Sequence, residues 1–172
     1  VLLDPFISYN PLAKNINVEE LKPDYIFLSH GHEDHVADLA MIQAQSNATV
    51  AAIVETAGWV RRQGISADKV IEFNFGGTLT LPFGKVKMVY ALHTNSTPDG
   101  AYAGAPCGFV FYIGDKTIYY AGDTALTLEM KLLDDLELDW AILPIGGHYT
   151  MDAHDAVKAA HFVKCRNVIG MH

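Results

Sequence analysis

Tyr25-Ile26-Phe27-Leu28-Ser29-His30-Gly31-His32-Glu33-Asp34-His35 joins an apolar run to three imidazoles and two carboxylates packed into six residues, His30 to His35. A core histidine needs one buried partner rather than a cluster of polar neighbours, and a solvated loop has no reason to concentrate histidine. Neutral imidazole and carboxylate are the ligands that borderline divalent metals such as zinc accept. The residues that follow read as a helix over Val36 to Gln45, with Val36, Leu39, Ala40 and Ile42 on one face. Asp34 and His35 then stand at the start of that helix, where its dipole favours negative charge. His30 and His32 alternate in an extended loop and point to the same side. Strand, ligand loop and helix start form one rigid device, and one such loop can serve two metals.

The surroundings are those of a single globular domain over residues 1–172, with 50% hydrophobic and 19% charged residues. No apolar run approaches the roughly 20 residues that cross a bilayer, and no basic stretch with a cleavage site opens the chain, so a soluble protein without a membrane partner is expected. The first residue is Val1 rather than Met, as in a processed or truncated chain. Twenty acidic against twelve basic residues give a formal charge of −8, and the basic ones are scattered, which argues against nucleic acid as a partner. Two cysteines, Cys107 and Cys165, are too few for a disulfide framework, and a reducing cytoplasm is the simplest location.

Short β-branched or aromatic runs alternate with helical patterns throughout, which is an α/β signature. Strands are expected at Val1 to Phe6, Asp24 to Ser29, Thr49 to Val54, Lys69 to Phe73, Thr78 to Leu81, Lys85 to His93, Gly108 to Ile113, Thr117 to Ala121, Trp140 to Pro144 and Asn167 to Met171. Helices are expected at Val36 to Gln45, Glu55 to Gln63, Leu126 to Leu136 and Asp152 to Lys164. Gly114-Asp115 reads as the turn of a hairpin.

A catalytic metal needs about three or four protein ligands and an open position, more than the opening loop alone supplies to two ions. Strand ends deliver side chains to a common rim, and three qualify. His93 closes Lys85 to Leu92, Asp123 follows Ile118 to Gly122, and His172 follows Asn167 to Met171.

With these residues in place the sequence resembles the metallo-β-lactamase superfamily, whose pattern is His-x-His-x-Asp-His, then a His, an Asp and a last His, each after a strand. His30, His32, Asp34, His35, His93, Asp123 and His172 match it in order. Leu3-Asp4-Pro5-Phe6, Ala121-Gly122-Asp123-Thr124, Pro144-Ile145-Gly146-Gly147-His148-Tyr149-Thr150-Met151 and Gly170-Met171-His172 resemble, more narrowly, the prokaryotic metal-dependent hydrolases related to L-ascorbate-6-phosphate lactonase. The resemblance implies a four-layer αββα sandwich with the metals at one edge of its sheets. It implies His30, His32 and His93 on a first metal, Asp34, His35 and His172 on a second, and Asp123 bridging. It also leads to the expectation of a strand pair before Val1 and more chain after His172.

Other residues keep two readings. His148, after two glycines, either polarises the substrate or protonates a leaving group, or is an exposed residue of a Gly-rich turn. Asp4 either orients a ligand imidazole or caps a turn. The polar stretch Thr94 to Gly100 follows a ligand and can line the substrate entrance. His154 and His161 read as helix surface, and the cysteines as small buried apolar residues. Two divalent ions, zinc first with manganese or iron also accepted, would lower the pKa of a bridging water and clamp a developing oxyanion. The function expected is hydrolysis of a small cytoplasmic metabolite, a lactone or phosphorylated ester first, with Asp34 and His148 as catalytic groups. The alternatives are a phosphodiesterase or nuclease on the same metals, and a non-hydrolytic metal-dependent sensor or redox protein. A homo-oligomer is left open.

Overall fold

Apolar runs become strands, and the length of each connection decides how they pair. The computed structural model describes every residue from Val1 to His172. The chain forms two compact units, Val1–Phe73 with Asn95–Ala105, and Asn74–Thr94 with Pro106–His172. No helix is long and apolar enough to cross a membrane.

The first unit is built on a parallel sheet in the order β1 (Leu2–Leu3), β2 (Tyr25–Phe27), β3 (Thr49–Ile53), β4 (Val70–Phe73). Parallel neighbours need crossovers. These are α1 (Glu33–Val36) and α2 (Leu39–Ser46) after β2, and α3 (Val54–Arg62) after β3. Ile26, Leu28, Val50 and Ala52 pack with Leu39, Ile42 and Val60 in one core. Phe27, Ala51 and Ile53, which point the other way, are buried as well. Burial on both faces explains why these strands read as continuous apolar runs rather than alternating ones.

The helix expected over Val36 to Gln45 forms from Leu39 onward as α2, and its expected first turn is cut off as part of a separate single turn, α1. Asp38 breaks it, leaving the helical path at φ −96° and ψ 2°. Its N–H donates to the Pro5 carbonyl at 3.1 Å. Its carboxylate accepts the N–H groups of Ile7 at 2.5 Å and Ser8 at 2.9 Å. A partner some thirty residues away therefore overrides local propensity. Val36, Leu39 and Ile42 are buried as expected, whereas Ala40 is exposed.

The second unit carries a sheet in the order β10 (Val168–Met171), β9 (Trp140–Pro144), β8 (Lys116–Tyr120), β7 (Cys107–Ile113), β6 (Gly84–Tyr90), β5 (Thr78–Leu81). β5 to β8 form an antiparallel meander, and β9 and β10 run parallel to β8. Ile113 pairs with Lys116 across the Gly114-Asp115 turn, where Gly114 takes φ +60°. α4 (Ala153–Phe162) joins β9 to β10, and its N-terminus is capped by Asp152, which accepts the Asp155 N–H at 2.8 Å. The helix expected over Leu126 to Leu136 is a 3₁₀ segment, Leu128–Leu133. Met130 and Leu133 are its buried residues, and a spacing of three is the period of a 3₁₀ turn. Because β6 and β8 are both antiparallel to β7, strands β6, β8, β9 and β10 point the same way. The chain leaves all four at one edge of this sheet.

Asp38 fixes the path of the chain just after Asp4, and its own ionisation is tied to that contact. Burial opposes its charge, but hydrogen bonds from the Ser8 side chain and from the N–H groups of Ile7 and Ser8 outweigh it and hold the carboxyl below its ordinary range. A depressed folded pKa gives stability that is complete above the unfolded value of about 4 and is lost as pH falls through the folded one. Asp38→Asn should therefore cost about 2 kcal/mol in urea unfolding at neutral pH, with the gap to wild type closing in acid. A gap that persists unchanged at low pH would contradict this role.

Candidate metal centre

In the first unit the site grows from the ends of β1 and β2. Asp4 turns out of β1 at φ +42°, a left-handed conformation that Asp tolerates better than most residues, and its N–H is held by the Phe27 carbonyl at 3.0 Å. Its Oδ1 accepts the Ser29 N–H at 2.7 Å. Its Oδ2 accepts the Ser29 hydroxyl at 2.5 Å and faces His35 Nδ1 at 3.0 Å. Ser29 Oγ in turn lies 2.9 Å from His30 Nδ1. All four residues are buried. A carboxylate only accepts, and a serine hydroxyl already donating to it is left to accept. Both histidines therefore carry their proton on Nδ1 and present Nε2 as a lone pair, the tautomer that a metal ligand needs.

The rest of the motif turns toward the same place. His30 Nε2 and His32 Nδ1 are 2.9 Å apart, and His35 Nε2 is 3.7 Å from Asp34 Oδ2. Asp4, His30 and His35 offer ligand atoms within 4.8 Å of one another. His32 is half-buried and Asp34 exposed. The loop between the histidines is clamped by residues 95–105, which belong to this unit despite lying between β6 and β7. Asn95 accepts the Gly31 N–H at 2.8 Å and donates to the Ala103 carbonyl at 2.8 Å, and Thr56 Oγ1 donates to that same carbonyl at 2.8 Å. A Cβ at Gly31 would lie 3.2 Å from Ala103 Cβ, the Ser96 carbonyl oxygen and Thr97 Cγ2, so only glycine fits without displacing the clamp.

In the second unit His93, Asp123 and His172 leave the same edge of the sheet, after β6, β8 and β10. β8 is two strands from each of the others, and Asp123 occupies the middle. Its Oδ2 is 3.6 Å from His93 Nε2 and 3.0 Å from His172 Nε2. One carboxylate thus reaches toward two imidazoles from a central position. Thr124 secures the group. Its hydroxyl accepts the Leu92 N–H at 3.0 Å, and its carbonyl accepts the Met151 N–H at 3.0 Å. Gly146 lets the backbone close on the last histidine, because a Cβ there would stand 2.9 Å from His172 Nδ1.

The seven ligands expected from sequence thus fall into two groups, His30, His32, Asp34 and His35 in one unit and His93, Asp123 and His172 in the other. The donor set, imidazole and carboxylate with anchored tautomers, fits a divalent cation. His148 is exposed on the loop that Gly147 closes by donating to the Met151 carbonyl at 3.0 Å, and its ring lies edge-on to Tyr149. His154 and His161 are exposed on α4, and Cys107 and Cys165 are buried and not joined in a disulfide. Sequence reasoning assigned no role to Ser29 or Thr124 and gave Asn95 only a place in the loop at the substrate entrance. Their signal was adjacency, since each lies within two residues of a ligand.

A family model described as a β-lactamase superfamily domain matches residues 1–172. A UPF0173 metal-dependent hydrolase of Christiangramia forsetii is 45% identical over 174 residues, covering 100% of this chain and 76% of the relative. One from Methylacidiphilum infernorum is 43% identical over 173 residues with the same coverage. Among solved structures, Igni18, a metallo hydrolase from the archaeon Ignicoccus hospitalis, superimposes with a TM-score of 0.85 at 33% identity, covering 99% of this chain and 73% of that one. The α/β architecture with two sheets and helices is that of the metallo-β-lactamase fold, as the resemblance implied. The chain belongs to the β-lactamase superfamily and, within it, to the UPF0173 metal-dependent hydrolases.

Proposed function

We propose that the chain hydrolyses a small cytoplasmic metabolite, a lactone or phosphorylated ester, with the help of two divalent ions, zinc in the first instance. His30, His32 and His93 would hold one, Asp34, His35 and His172 the other, and Asp123 would join them. The observation that carries this reading is the Asp4 carboxylate, which fixes His35 directly and His30 through Ser29, so that one histidine of each proposed set is oriented by the same anion. Bound divalent ions supply the charge that lowers the pKa of a water and stabilises a developing oxyanion.

The protein's own groups would then direct the attack. Asp34, whose carboxylate is about half exposed, orients the attacking water. His148, on an exposed loop anchored beside His172 through Gly146, protonates the leaving group. The segment Thr94 to Gly100 lines the approach to the site. A formal charge of −8 disfavours a polynucleotide and leaves small substrates as the better fit. The absence of a disulfide between Cys107 and Cys165 suits a reducing compartment.

Hydrolysis of a panel of lactones compared with bis(p-nitrophenyl) phosphate tests the bond class. Turnover of lactones is expected, and turnover of the phosphodiester alone would overturn the assignment. His32→Ala should remove bound metal and activity together, read by elemental analysis and by turnover, and retention of the full metal content would show that the ligand set is wrong. His148→Ala should keep its metal and lose about 10²-fold in kcat, the scale of a missing general acid. Unchanged kcat would return His148 to the role of a turn residue.

A further inference from the structure

Beside the candidate ligands of the first unit lies a crevice of about 260 Å³. Its walls come from that unit alone: Tyr9 from the loop after β1, Glu33 and Val36 from α1, Leu39 from α2, Trp59 from α3, and Pro98 from the stretch that follows His93. Glu33 stands between His32 and Asp34 in the sequence, so the crevice opens next to two candidate ligands. Its rim is held from outside. Asp38 accepts the N–H groups of Ile7 and Ser8, and the ring of Phe6 stacks on that of Tyr9 at 6.3 Å, which keeps the 72% exposed tyrosine in place. Trp59 is buried but for 6% of its surface.

Pockets that take a whole small molecule run from about 300 to 1,000 Å³, and an apolar cavity of about 150 Å³ holds benzene. A volume of about 260 Å³ therefore suits one end of a substrate rather than all of it. Glu33 is the one charged side chain in the lining, is exposed to the crevice, and pairs with no basic group of the chain. An anionic group entering here meets a like charge on a protein whose formal charge is already −8. A protonated amine instead gains a carboxylate partner, and the rings of Tyr9 and Trp59 are of the kind that attract a cation to their faces. The remaining walls, Val36, Leu39 and Pro98, offer only apolar surface to the carbon skeleton that carries the amine.

Resting on the hydrolytic reading of the metal centre, we propose that this crevice takes the non-reacting end of the substrate, that this end is an apolar chain carrying a protonated amine, and that Glu33 determines specificity by pairing with the ammonium. Apolar burial supplies affinity for the chain, and the carboxylate selects its charge. A lactone with an amine-bearing side chain is thereby favoured over an ester with a phosphate at this end.

The test compares three γ-lactones of similar shape on the zinc-loaded protein, carrying a dimethylaminopropyl, an isohexyl or a carboxypropyl chain. Wild type should prefer the amine to the isohexyl lactone by about tenfold in kcat/KM, carried by KM, the scale of one hydrogen bond to a charged group, with the carboxylate the poorest of the three. Glu33→Gln should lose that preference while its metal content, read by elemental analysis, stays the same. Ala40→Phe, which fills the crevice from an exposed position on α2, should raise KM for the amine and isohexyl lactones alike. Binding is read apart from turnover by NMR. N,N-dimethylhexylamine should shift the indole N–H signal of Trp59 saturably and leave that of Trp140, in the other unit, unmoved. That shift without turnover of any lactone would uphold the crevice and overturn only the lactone assignment. Equal kcat/KM across the series, a preference for the carboxylate, a preference for the amine that survives in Glu33→Gln, or no saturable shift of Trp59 would overturn the proposal.

Discussion

One buried carboxylate organises the candidate ligands of the first unit. Asp4 takes donors on both oxygens, and three of the residues it reaches, directly or in one relay, lie in the motif from Ser29 to His35. The anion is tolerable in the interior only because it is fully hydrogen-bonded, and the two histidines have a defined tautomer only because the anion is there. The constraint runs backward as well. Asp4 adopts a left-handed backbone conformation held by the Phe27 carbonyl, and the chain after it is pinned to Asp38, where the helix that local pattern favours from Val36 is interrupted before α2. Structure far from any ligand is thereby spent on the direction in which two ring nitrogens point.

The candidate ligands of the second unit depend on strand direction rather than on a single anion. An antiparallel meander followed by two parallel strands makes β6, β8 and β10 leave the sheet at one edge with β8 between the others. Asp123 inherits the central position, and this is why one carboxylate can reach two histidines separated by seventy-nine residues in sequence. Thr124 and Gly146 then set the fine spacing, one by a hydroxyl that ties β6 to the segment after β8, the other by having no side chain.

Much of this was legible in the residues. The ten strands appear where β-branched and aromatic runs stand, because burial on both faces or alternation leaves a clear periodic trace. The seven candidate ligands could be proposed because their spacing after strands is shared by a known superfamily. What escaped depends on contacts between distant positions. Nothing near Asp38 announces that it will accept the N–H groups of Ile7 and Ser8, and nothing in residues 95–105 announces that they fold onto Gly31 in the first unit. Leu128 to Leu133 has a helical composition, and the choice of a 3₁₀ path is made by a three-residue spacing of buried side chains.

The family places the chain among metal-dependent hydrolases, and the arrangement of histidines and carboxylates makes that membership a statement about charge and geometry. The central proposal is that the chain binds two divalent ions. Counting divalent metal per chain by native mass spectrometry, on protein loaded with zinc and freed of excess, tests it most directly. The account predicts two ions per chain, and a stoichiometry of one or none at saturation would contradict it.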